Sequence, residues 1–281
     1  MAGGTGGHVF PALAVAQHLK TQGAEILWLG TRAGLEADIV PRAGFPISFI
    51  AVSGLRGKSV LSWLLAPYKL GIAFLQALLL IMRLKPTLVL GMGGFVTGPG
   101  GFVAWLLDKP LVIHEQNSIA GLTNRLLAPI ANRVLEAFPG SLKPKYRPLH
   151  TGNPVRTAIA ALASLARPSH AGPLRLLVLG GSRGARALNE VVPRALATLA
   201  TAQRPEVWHQ TGAQHVTAAQ QEYRAARVTA RVAPFIDDMA AAYSWADLVL
   251  CRAGALTIAE LACAGVASIL VPYQFAVDDH Q

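Results

Sequence analysis

The stretch Leu174-Arg-Leu-Leu-Val-Leu-Gly-Gly-Ser-Arg-Gly-Ala185 predicts the fold of the second half of the chain. Its first six residues, five of them apolar, are typical of a strand buried on both faces. Glycines then predict a tight turn, which favours a phosphate site because a helix start follows with unpaired N–H donors. A turn without a ligand would show the same pattern. The helix is predicted from apolar residues at helical spacing: Leu188, Val191, Val192, Ala195, Leu196 and Leu199.

Length and composition indicate a globular protein of two domains. The 281 residues exceed the usual size of one core, and 52% of them are hydrophobic against 14% charged. The net charge of +10 comes mostly from scattered arginines and suits phosphorylated substrates, an acidic membrane surface or nucleic acid. Nucleic acid is disfavoured, because the sequence has no zinc-finger spacing, aromatic RNA-binding signature or basic helix.

The cysteines and the start of the chain indicate a reducing compartment. Cys251 and Cys263 have neither metal-ligand spacing nor a disulfide framework, so we expect them to be small buried apolar residues. The sequence opens with Met-Ala-Gly-Gly and shows no signal peptide, which predicts a cytoplasmic protein.

The first half opens on a second glycine loop, Gly3-Gly-Thr-Gly-Gly-His8, followed by a predicted helix that ends near Gly23. In a doubly wound domain such a loop follows a central strand, but only Met1 and Ala2 precede it here. We therefore expect the first domain to lack its first strand and to be weakened by that loss.

Short apolar runs separated by helical stretches predict parallel βαβ units, with ligands at the carboxyl ends of the strands. His114-Glu-Gln-Asn117 follows such a run, and the glycine-rich residues 91–101 predict a flexible or anion-cradling loop rather than a continuous helix. The predicted strands are 25–30, 47–52, 88–91, 111–114, 174–179, 206–209, 228–235, 247–251 and 268–271, and a helix is predicted over 255–264.

The segment from Val60 to Arg83 is apolar except for a narrow stripe of polar residues spaced by sevens. It is predicted either to form a pair of core helices or to lie at a membrane interface. The residues alone favour the core. The polar stripe consists of Ser62, Lys69, Gln76 and Arg83.

Prolines between Phe138 and Arg175 predict the interdomain connection. Beyond it, the Ser182 loop, residues 234–238 and residues 252–260 fall at strand ends or helix starts and favour a nucleotide site. Glu260 is interpreted as an acceptor for ribose hydroxyls, although composition alone favours a solvated helix residue. Asp237 and Asp238 are interpreted as a helix N-cap, and their spacing does not call for a metal.

Eight motifs along the chain follow the order seen in the MurG family. They are Gly3-Gly-Thr-Gly-Gly-His8, Ser53-Gly-Leu-Arg-Gly-Lys58, Gly91-Met-Gly-Gly-Phe-Val-Thr-Gly-Pro-Gly-Gly101, His114-Glu-Gln-Asn117, Gly152-Asn-Pro-Val-Arg156, Gly180-Gly-Ser-Arg-Gly-Ala185, Phe235-Ile-Asp-Asp-Met239 and Arg252-Ala-Gly-Ala-Leu-Thr257. The chain resembles this family over essentially its whole length.

The resemblance implies an α/β protein of the GT-B fold, with two Rossmann-like doubly wound domains facing a cleft. Residues 1–153 would form the acceptor and membrane-binding domain, and residues 154–281 the domain that binds the UDP-sugar donor. The family transfers N-acetylglucosamine from UDP-N-acetylglucosamine to lipid I, which yields lipid II for peptidoglycan. The reaction inverts the anomeric carbon and uses no cofactor or metal. The segment from Trp63 to Leu80 would touch the cytoplasmic membrane leaflet, which favours the interface over the core and implies a peripheral protein on that face.

The resemblance also implies roles for individual residues. We favour His8 as the general base, because an unperturbed histidine titrates near ~6.5, and keep Glu115 as the second candidate. Alternatively, His8 donates to a phosphate. Donor-binding residues would be Thr5, Gly6, Gly7, Asn117, Arg156, Ser182, Arg183, Ile236, Ala255, Leu256, Thr257, Glu260, His280 and Gln281. Acceptor-binding residues would be Gly93, Gly94, His114, Glu115, Gln116 and Asn117.

The chain departs from the family pattern at several points. Arg183 stands where glutamine is common and Ala253 where serine is common. The family's first strand and the last part of its second domain are expected to be missing. Two alternatives therefore stay open: a UDP-sugar epimerase of the same architecture, and an inactive fragment that binds a nucleotide sugar. A dinucleotide oxidoreductase is disfavoured, since neither glycine loop has G-x-G-x-x-G spacing followed by an acidic strand end.

Overall fold

The structure, a computed structural model, describes residues 1–52, 65–166, 170–181 and 184–273. Contacts between Cα atoms divide the chain into two compact units, the first formed by Met1–Arg156 and the second beginning at Thr157. Each unit is built from parallel strands and helices. The sequence placed the functional boundary after residue 153, three residues before this division at Arg156.

The first unit alternates helices and parallel strands. The helices are α1 (Gly6–Thr21), α2 (Glu36–Arg42), α3 (Ala66–Leu84), α4 (Thr97–Leu106) and α5 (Leu122–Leu127), and the strands are β1 (Trp28–Gly30), β2 (Ile47–Phe49), β3 (Val89–Gly91), β4 (Leu111–Glu115), β5 (Arg133–Glu136) and β6 (Leu149–His150). β1 pairs with β2, and β3 to β6 form a four-stranded sheet in chain order. β4 therefore lies inside a sheet, between β3 and β5.

The two sheets of the first unit are separated by residues 1–2. The amino group of Met1 donates to the carbonyl oxygen of Leu90 at 2.7 Å, and Met92 N–H donates to Met1 O at 2.8 Å. Burial lowers the pKa of this amino group from 8.0 to about 5. A cavity of about 420 Å³ opens beside Met1 and Trp28.

The second unit contains one five-stranded parallel sheet in the order β11-β10-β7-β8-β9. Its strands are β7 (Arg175–Leu179), β8 (Glu206–Gln210), β9 (Arg231–Ala233), β10 (Leu248–Arg252) and β11 (Ala267–Val271), and its helices are α6 (Thr157–Ala160), α7 (Arg186–Ala197), α8 (Val216–Ala225), α9 (Met239–Trp245) and α10 (Ala255–Ala264). β7 is the central strand of this order, and its apolar residues are therefore buried on both faces. The chain changes direction across the sheet between β9 and β10, so the switch point lies at the carboxyl ends of β7 and β10.

Most predicted elements are confirmed, with shifted ends, and several predictions are wrong. A strand was expected over 228–235, but β9 covers only Arg231–Ala233. The segment 91–101 was expected to be a loop and not a continuous helix. Residues 92–96 are indeed non-helical, but α4 begins at Thr97, because the small residues in its first turns pack against the core. β5 was not predicted, and β6 lies inside the expected linker. Cys251 is buried as expected, whereas Cys263 is only half-buried.

Helix α3 buries one narrow stripe and leaves a broad apolar face exposed. Ala73, Ala77 and Ile81 are buried, and Phe74 meets Phe102 of α4 edge to face at 5.4 Å. The helix is long and apolar enough to cross a membrane by length and composition alone. We call this set of exposed apolar side chains on the two helices the α3–α4 face: Tyr68, Leu75, Leu79, Met82, Phe102, Trp105 and Leu106. Ser62 and Trp63 lie outside the described residues.

Candidate active site

The glycine loop before α1 is held by a buried carboxylate. Glu36 is fully buried, and its Oε2 accepts from Gly4 N–H at 2.9 Å. Its Oε1 accepts from the backbone N–H and hydroxyl of Thr31, at 2.9 and 2.7 Å. A Cβ at Gly3 would lie 2.5 Å from Oε1, so the loop approaches Glu36 as closely as only glycine allows. Glu36 thus fixes the loop that leads into α1.

The predicted donor residues of this loop lie at the start of α1. Thr5 is the N-cap without a side-chain capping bond, and it is exposed, as is Gly7. The first backbone bonds run from His8 N–H and Val9 N–H to Thr5 O. The N–H groups of Gly6 and Gly7 therefore belong to the open first turn, where an anion is stabilised.

His8, in this first turn of α1, is joined to the end of β4. Its Nδ1 lies 2.9 Å from Oε1 of Gln116. Nε2 of Gln116 lies 3.0 Å from Nδ1 of His114 and 3.1 Å from the carbonyl oxygen of His114. His114 Nε2 lies 3.0 Å from the carbonyl oxygen of Gly152. Both His114 and Gln116 are buried, whereas His8 is partly exposed.

Gly93 and Gly94 pack directly against the glycine loop. Both have positive φ, +87° and +83°. A Cβ at Gly93 would lie 2.6 Å from Nδ1 of His8, and one at Gly94 would overlap the carbonyl oxygen of Gly3. The turn after β3 therefore forms a wall behind the His8 ring, and any side chain in that wall would displace the ring.

Glu115 organises the loop that follows β4. It is buried, and Oε1 accepts from the backbone and side-chain N–H groups of Asn117 at 3.0 and 3.1 Å. Oε2 accepts from Gly121 N–H at 3.0 Å and Asn124 Nδ2 at 2.9 Å. With four donors, Glu115 is well suited to shape the loop, and both of its oxygens are already engaged. Asn117 is the half-buried member of the predicted acceptor motif.

Arg156 closes the first unit beside α1. Its guanidinium lies 5.1 Å from the centroid of the Phe10 ring, a cation–π contact that orients the side chain. Phe10 follows His8 by two residues on α1, so the contact with Phe10 places the Arg156 guanidinium beside the helix turn that carries the His8 imidazole. The predicted contact of Arg156 with donor phosphates stays a prediction.

In the second unit, Gln210 links the glycine-rich turn after β7 to the segment before α9. Its Nε2 donates to Gly181 O at 3.1 Å, and its Oε1 accepts from Ile236 N–H at 3.1 Å. Gly184 has φ +76°, and a Cβ there would overlap the carbonyl oxygen of Thr211. Both segments are thus fixed to the end of β8. The N–H of Ile236 already donates to Gln210. The predicted backbone contact of Ile236 with uracil would therefore have to use the carbonyl oxygen of Ile236.

The start of α10 offers backbone donors at the sheet switch point. Gly254 is the N-cap, and the first bond within the helix runs from Ile258 N–H to Gly254 O at 3.0 Å. The N–H groups of residues 255–257 precede that bond, and these are the predicted phosphate-binding residues Ala255, Leu256 and Thr257.

Glu260 lies two turns into α10 and is only 5% exposed. Its Oε2 accepts from the Tyr243 hydroxyl at 3.1 Å. The alternative that Glu260 is a solvated helix residue is therefore wrong. A carboxylate has acceptor sites for several donors, so binding of ribose hydroxyls stays a prediction.

Asp238 is confirmed as a helix N-cap, because its side chain accepts from Ala241 N–H at 2.9 Å. Four predicted donor residues lie outside the described residues: Ser182, Arg183, His280 and Gln281. Among the residues that the structure describes, no group of three or more His, Cys, Asp or Glu side chains is placed to hold a metal ion.

Comparison with known proteins identifies the family. The model of the glycosyltransferase family 28 N-terminal domain matches residues 1–136, and that of the family 28 C-terminal domain matches residues 175–281. A protein of Nitrosococcus oceani, named UDP-N-acetylglucosamine–N-acetylmuramyl-(pentapeptide) pyrophosphoryl-undecaprenol N-acetylglucosamine transferase, is 60% identical over 283 residues, which cover 100% of this chain and 79% of that protein. The chain belongs to the MurG family. A MurG-family relative from Nitrosomonas europaea with the same name is 57% identical and is covered to 80%.

Solved structures agree with membership of the MurG family. The crystal structure of Acinetobacter baumannii MurG is 44% identical, has a TM-score of 0.74, and is covered to 79% by the whole of this chain. A UDP-GlcNAc 2-epimerase from Neisseria meningitidis, bound to UDP-GlcNAc, is 11% identical with a TM-score of 0.63, and 95% of this chain covers 80% of it. At that identity the likeness shows the fold alone. The predicted family and its two-domain GT-B fold are confirmed.

Three buried residues of this MurG-family site escaped the sequence analysis: Glu36, Asn124 and Gln210. Gln210 follows the predicted strand 206–209 by one residue, so the rule that strand ends carry ligand-binding side chains would have found it. Glu36 carried no local signal, because it acts on a loop that is distant in sequence. Asn124 carried none either, because its partners lie at the end of a different element, β4.

Proposed function

We propose that this chain transfers N-acetylglucosamine from UDP-N-acetylglucosamine to lipid I. The observation that carries the proposal is the similarity of the whole chain to proteins named as that transferase, at 54–60% identity. The site supports it, because a histidine and open helix starts lie at the ends of parallel strands. An epimerase is less well supported, since its likeness is confined to the fold.

The chemistry requires removal of one proton and stabilisation of one leaving group. The C4 hydroxyl of N-acetylmuramic acid attacks the anomeric carbon of the donor, and UDP leaves from the opposite face. We assign the proton to Nε2 of His8, because its other ring nitrogen is bonded to Gln116. Negative charge growing on the diphosphate is stabilised by the N–H groups at the start of α10.

The donor site is proposed in the second unit, at the switch point of its sheet. Residues 255–257 supply backbone donors for the diphosphate, and Glu260 accepts from the ribose hydroxyls. Gln210 holds the segment around Ile236 that borders the base. The acceptor site is proposed in the first unit around His8, Asn117 and the turn at Gly93 and Gly94. We also propose that the acceptor domain ends at residue 153 and that the donor domain begins at residue 154.

The α3–α4 face is proposed to rest on the cytoplasmic leaflet of the membrane. Trp105 and Leu75 are about half exposed, and Lys69 and Arg83 stand on the same helix as Leu75. Apolar side chains would enter the headgroup region while the cations meet anionic lipids. We thus propose a peripheral protein on the cytoplasmic side, with lipid I as its acceptor and without nucleic acid as a partner.

A transfer assay tests this function. The chain is incubated with radiolabelled UDP-N-acetylglucosamine and a lipid I analogue that has a shortened prenyl tail. We expect labelled lipid II analogue and UDP in equal amounts, and no conversion of donor without acceptor. Donor epimerised in the absence of acceptor would favour the epimerase, whereas donor binding without transfer would favour the inactive fragment.

Two histidine variants on α1 test the base. His8→Ala is expected to lower kcat by roughly 10²–10⁴-fold, the usual contribution of a general base. The matched control is His18→Ala, because His18 is exposed near the other end of the same helix. Near-normal transfer by His8→Ala would remove His8 from the base role.

A further inference from the structure

The chain of bonds from Gly152 to His8 fixes the position of each proton along it. Its far end is the carbonyl oxygen of Gly152, 3.0 Å from His114 Nε2, and a carbonyl oxygen only accepts. His114 Nε2 therefore carries a proton. Burial lowers the pKa of His114, against the opposing effects of the Gly152 bond and the Glu115 charge. The ring is thus neutral, and its Nδ1 is an acceptor.

The second link fixes the orientation of the Gln116 amide. One end of this amide lies 3.1 Å from the carbonyl oxygen of His114 and 3.0 Å from His114 Nδ1. Both partners accept, so this end is the NH₂ group, and its two hydrogens have two acceptors. The opposite orientation would place an oxygen against a carbonyl oxygen and an imidazole lone pair.

The third link fixes the tautomer of His8. With its NH₂ group turned to His114, Gln116 presents Oε1 to His8 Nδ1 at 2.9 Å. This oxygen only accepts, so His8 Nδ1 carries the proton. In neutral His8 the lone pair then lies on Nε2, the nitrogen that has no part in this chain of bonds. Gly93 packs against the Nδ1 edge of the ring and opposes rotation towards it.

We propose that Gln116 and His114 are positioning residues that hold His8 as the Nδ1–H tautomer, with Nε2 directed to the acceptor hydroxyl. This inference rests on the proposed function. In the reaction the O–H bond of the acceptor breaks and its proton moves to Nε2, while the new C–O bond forms and the bond from the anomeric carbon to the diphosphate breaks. The electron pair leaves with UDP. The imidazolium keeps its Nδ1–H bond to Gln116 and later releases the Nε2 proton to water.

This chain of bonds, which we call the relay, suits neutral His8 as a base rather than as a phosphate donor. The alternative role, donation to a phosphate from Nε2, requires either the other tautomer or the imidazolium. Gln116 opposes the other tautomer, because its oxygen would then face an imidazole lone pair.

The titratable groups on the elements around His8 are His114 and Glu115 on β4, Glu36 on α2 and Arg156 beside Phe10.

Activity measurements with two variants of Gln116 test the positioning role. Gln116→Leu removes the acceptor for His8 Nδ1–H, so we expect kcat to fall about 100-fold while KM for each substrate changes less than about threefold. Gln116→Glu keeps an acceptor oxygen for His8 and adds a charge that stabilises the imidazolium, but its second oxygen faces the two acceptors of His114. It is expected to regain only part of the activity and to move the acid limb of the pH profile to higher pH.

Gln22→Leu and Gln22→Glu are matched controls, because Gln22 is exposed just beyond α1. The proposal is overturned if Gln116→Leu keeps kcat within about threefold. It is equally overturned if both Gln116 variants lose activity alike without a shift of the acid limb.

A spectroscopic measurement separates this inference from the proposed function. In protein labelled with ¹⁵N-histidine, long-range ¹H–¹⁵N spectra distinguish a protonated ring nitrogen from one with a lone pair, and the spectrum of His8→Gln assigns the His8 signals. We expect protonated Nδ1 and a lone pair on Nε2 at neutral pH, and a change towards the Nε2–H form in Gln116→Leu. A wild-type His8 in the Nε2–H form would disprove the relay even in an active enzyme. Conversely, the expected tautomer in a chain without transfer would leave the relay intact and refute only the function.

Discussion

The backbone N–H of Gly4 donates to the buried carboxylate of Glu36 at 2.9 Å. The N–H of Gly4 is therefore already bonded to a protein carboxylate. We expect a bound anion to use the N–H groups at the start of α1 instead, at Gly6 and Gly7. The other oxygen of Glu36 holds both polar groups of Thr31. The loop is fixed before any substrate arrives.

Glu36→Gln is expected to destabilise the first unit by about 1–3 kcal/mol, the cost of leaving a buried group without its partner. One carboxylate oxygen would become an NH₂ group facing an N–H donor, at either Gly4 or Thr31. Urea unfolding of the full chain measures the effect. Glu25→Gln is the control, since Glu25 is exposed. Equal midpoints for the two variants would show that the charge of Glu36 is not needed.

Gln210→Leu should weaken binding of UDP-N-acetylglucosamine about tenfold. The substitution removes the bonds to Gly181 and Ile236, so both segments at the proposed donor site lose their fixed positions. Calorimetric titration measures the Kd, and circular dichroism verifies that the variant is folded. Gln203→Leu, an exposed substitution in the same unit, is the control. An unchanged Kd in folded Gln210→Leu would place the donor elsewhere.

Acid is expected to destabilise the second unit through His209. His209 is fully buried with its Nδ1 2.9 Å from the Tyr223 hydroxyl, and burial lowers the pKa of His209 from 6.5 to about 4. Below pH 6.5 His209 binds a proton in the unfolded chain, whereas in the folded chain it stays neutral until the pH approaches 4. This contribution is therefore fully present above pH 6.5 and is lost as the pH falls towards 4, by about 3 kcal/mol.

Unfolding free energies between pH 7.5 and 4 check this expectation. His209→Gln should flatten the pH dependence, because it removes the titrating group. His18→Gln should leave the dependence unchanged, since His18 is exposed. The assignment fails if the wild-type and His209→Gln proteins lose stability in parallel.

The α3–α4 face should carry the binding to membranes. Leu75→Asn combined with Trp105→Asn is expected to lower the partition to vesicles containing an anionic lipid about tenfold or more, because two half-exposed apolar side chains no longer leave water. Flotation of vesicles measures the partition. Leu165→Asn is the control, being equally exposed in the second unit. Transfer to a water-soluble acceptor should persist in the double variant, and undiminished flotation would refute the proposed face.

Local sequence patterns predicted much of the fold, because a strand or helix with a buried face has apolar residues at a regular spacing in the sequence. β7 is apolar from Leu176 to Leu179 and was found within one residue, and α10 was found with both ends correct. The two residues of β6 are exposed and carry no such record, so the segment was interpreted as linker. Similarly, the start of α4 was missed, because its glycines give no helical signal in the sequence, although they pack closely against Met1 and Leu127.

The sequence by itself determined the family, the order of the strands apart from β5 and β6, and the identity of His8 and Glu260 as candidates. It did not determine their surroundings. His8 and Gln116 are 108 residues apart, and His114 and Gly152 are 38 apart, so only the folded sheet brings them into one chain of bonds. Periodicity reports which side of an element is buried but not which distant atom faces it. The proton positions of the site were therefore decided by the tertiary structure, through carbonyl oxygens that can only accept.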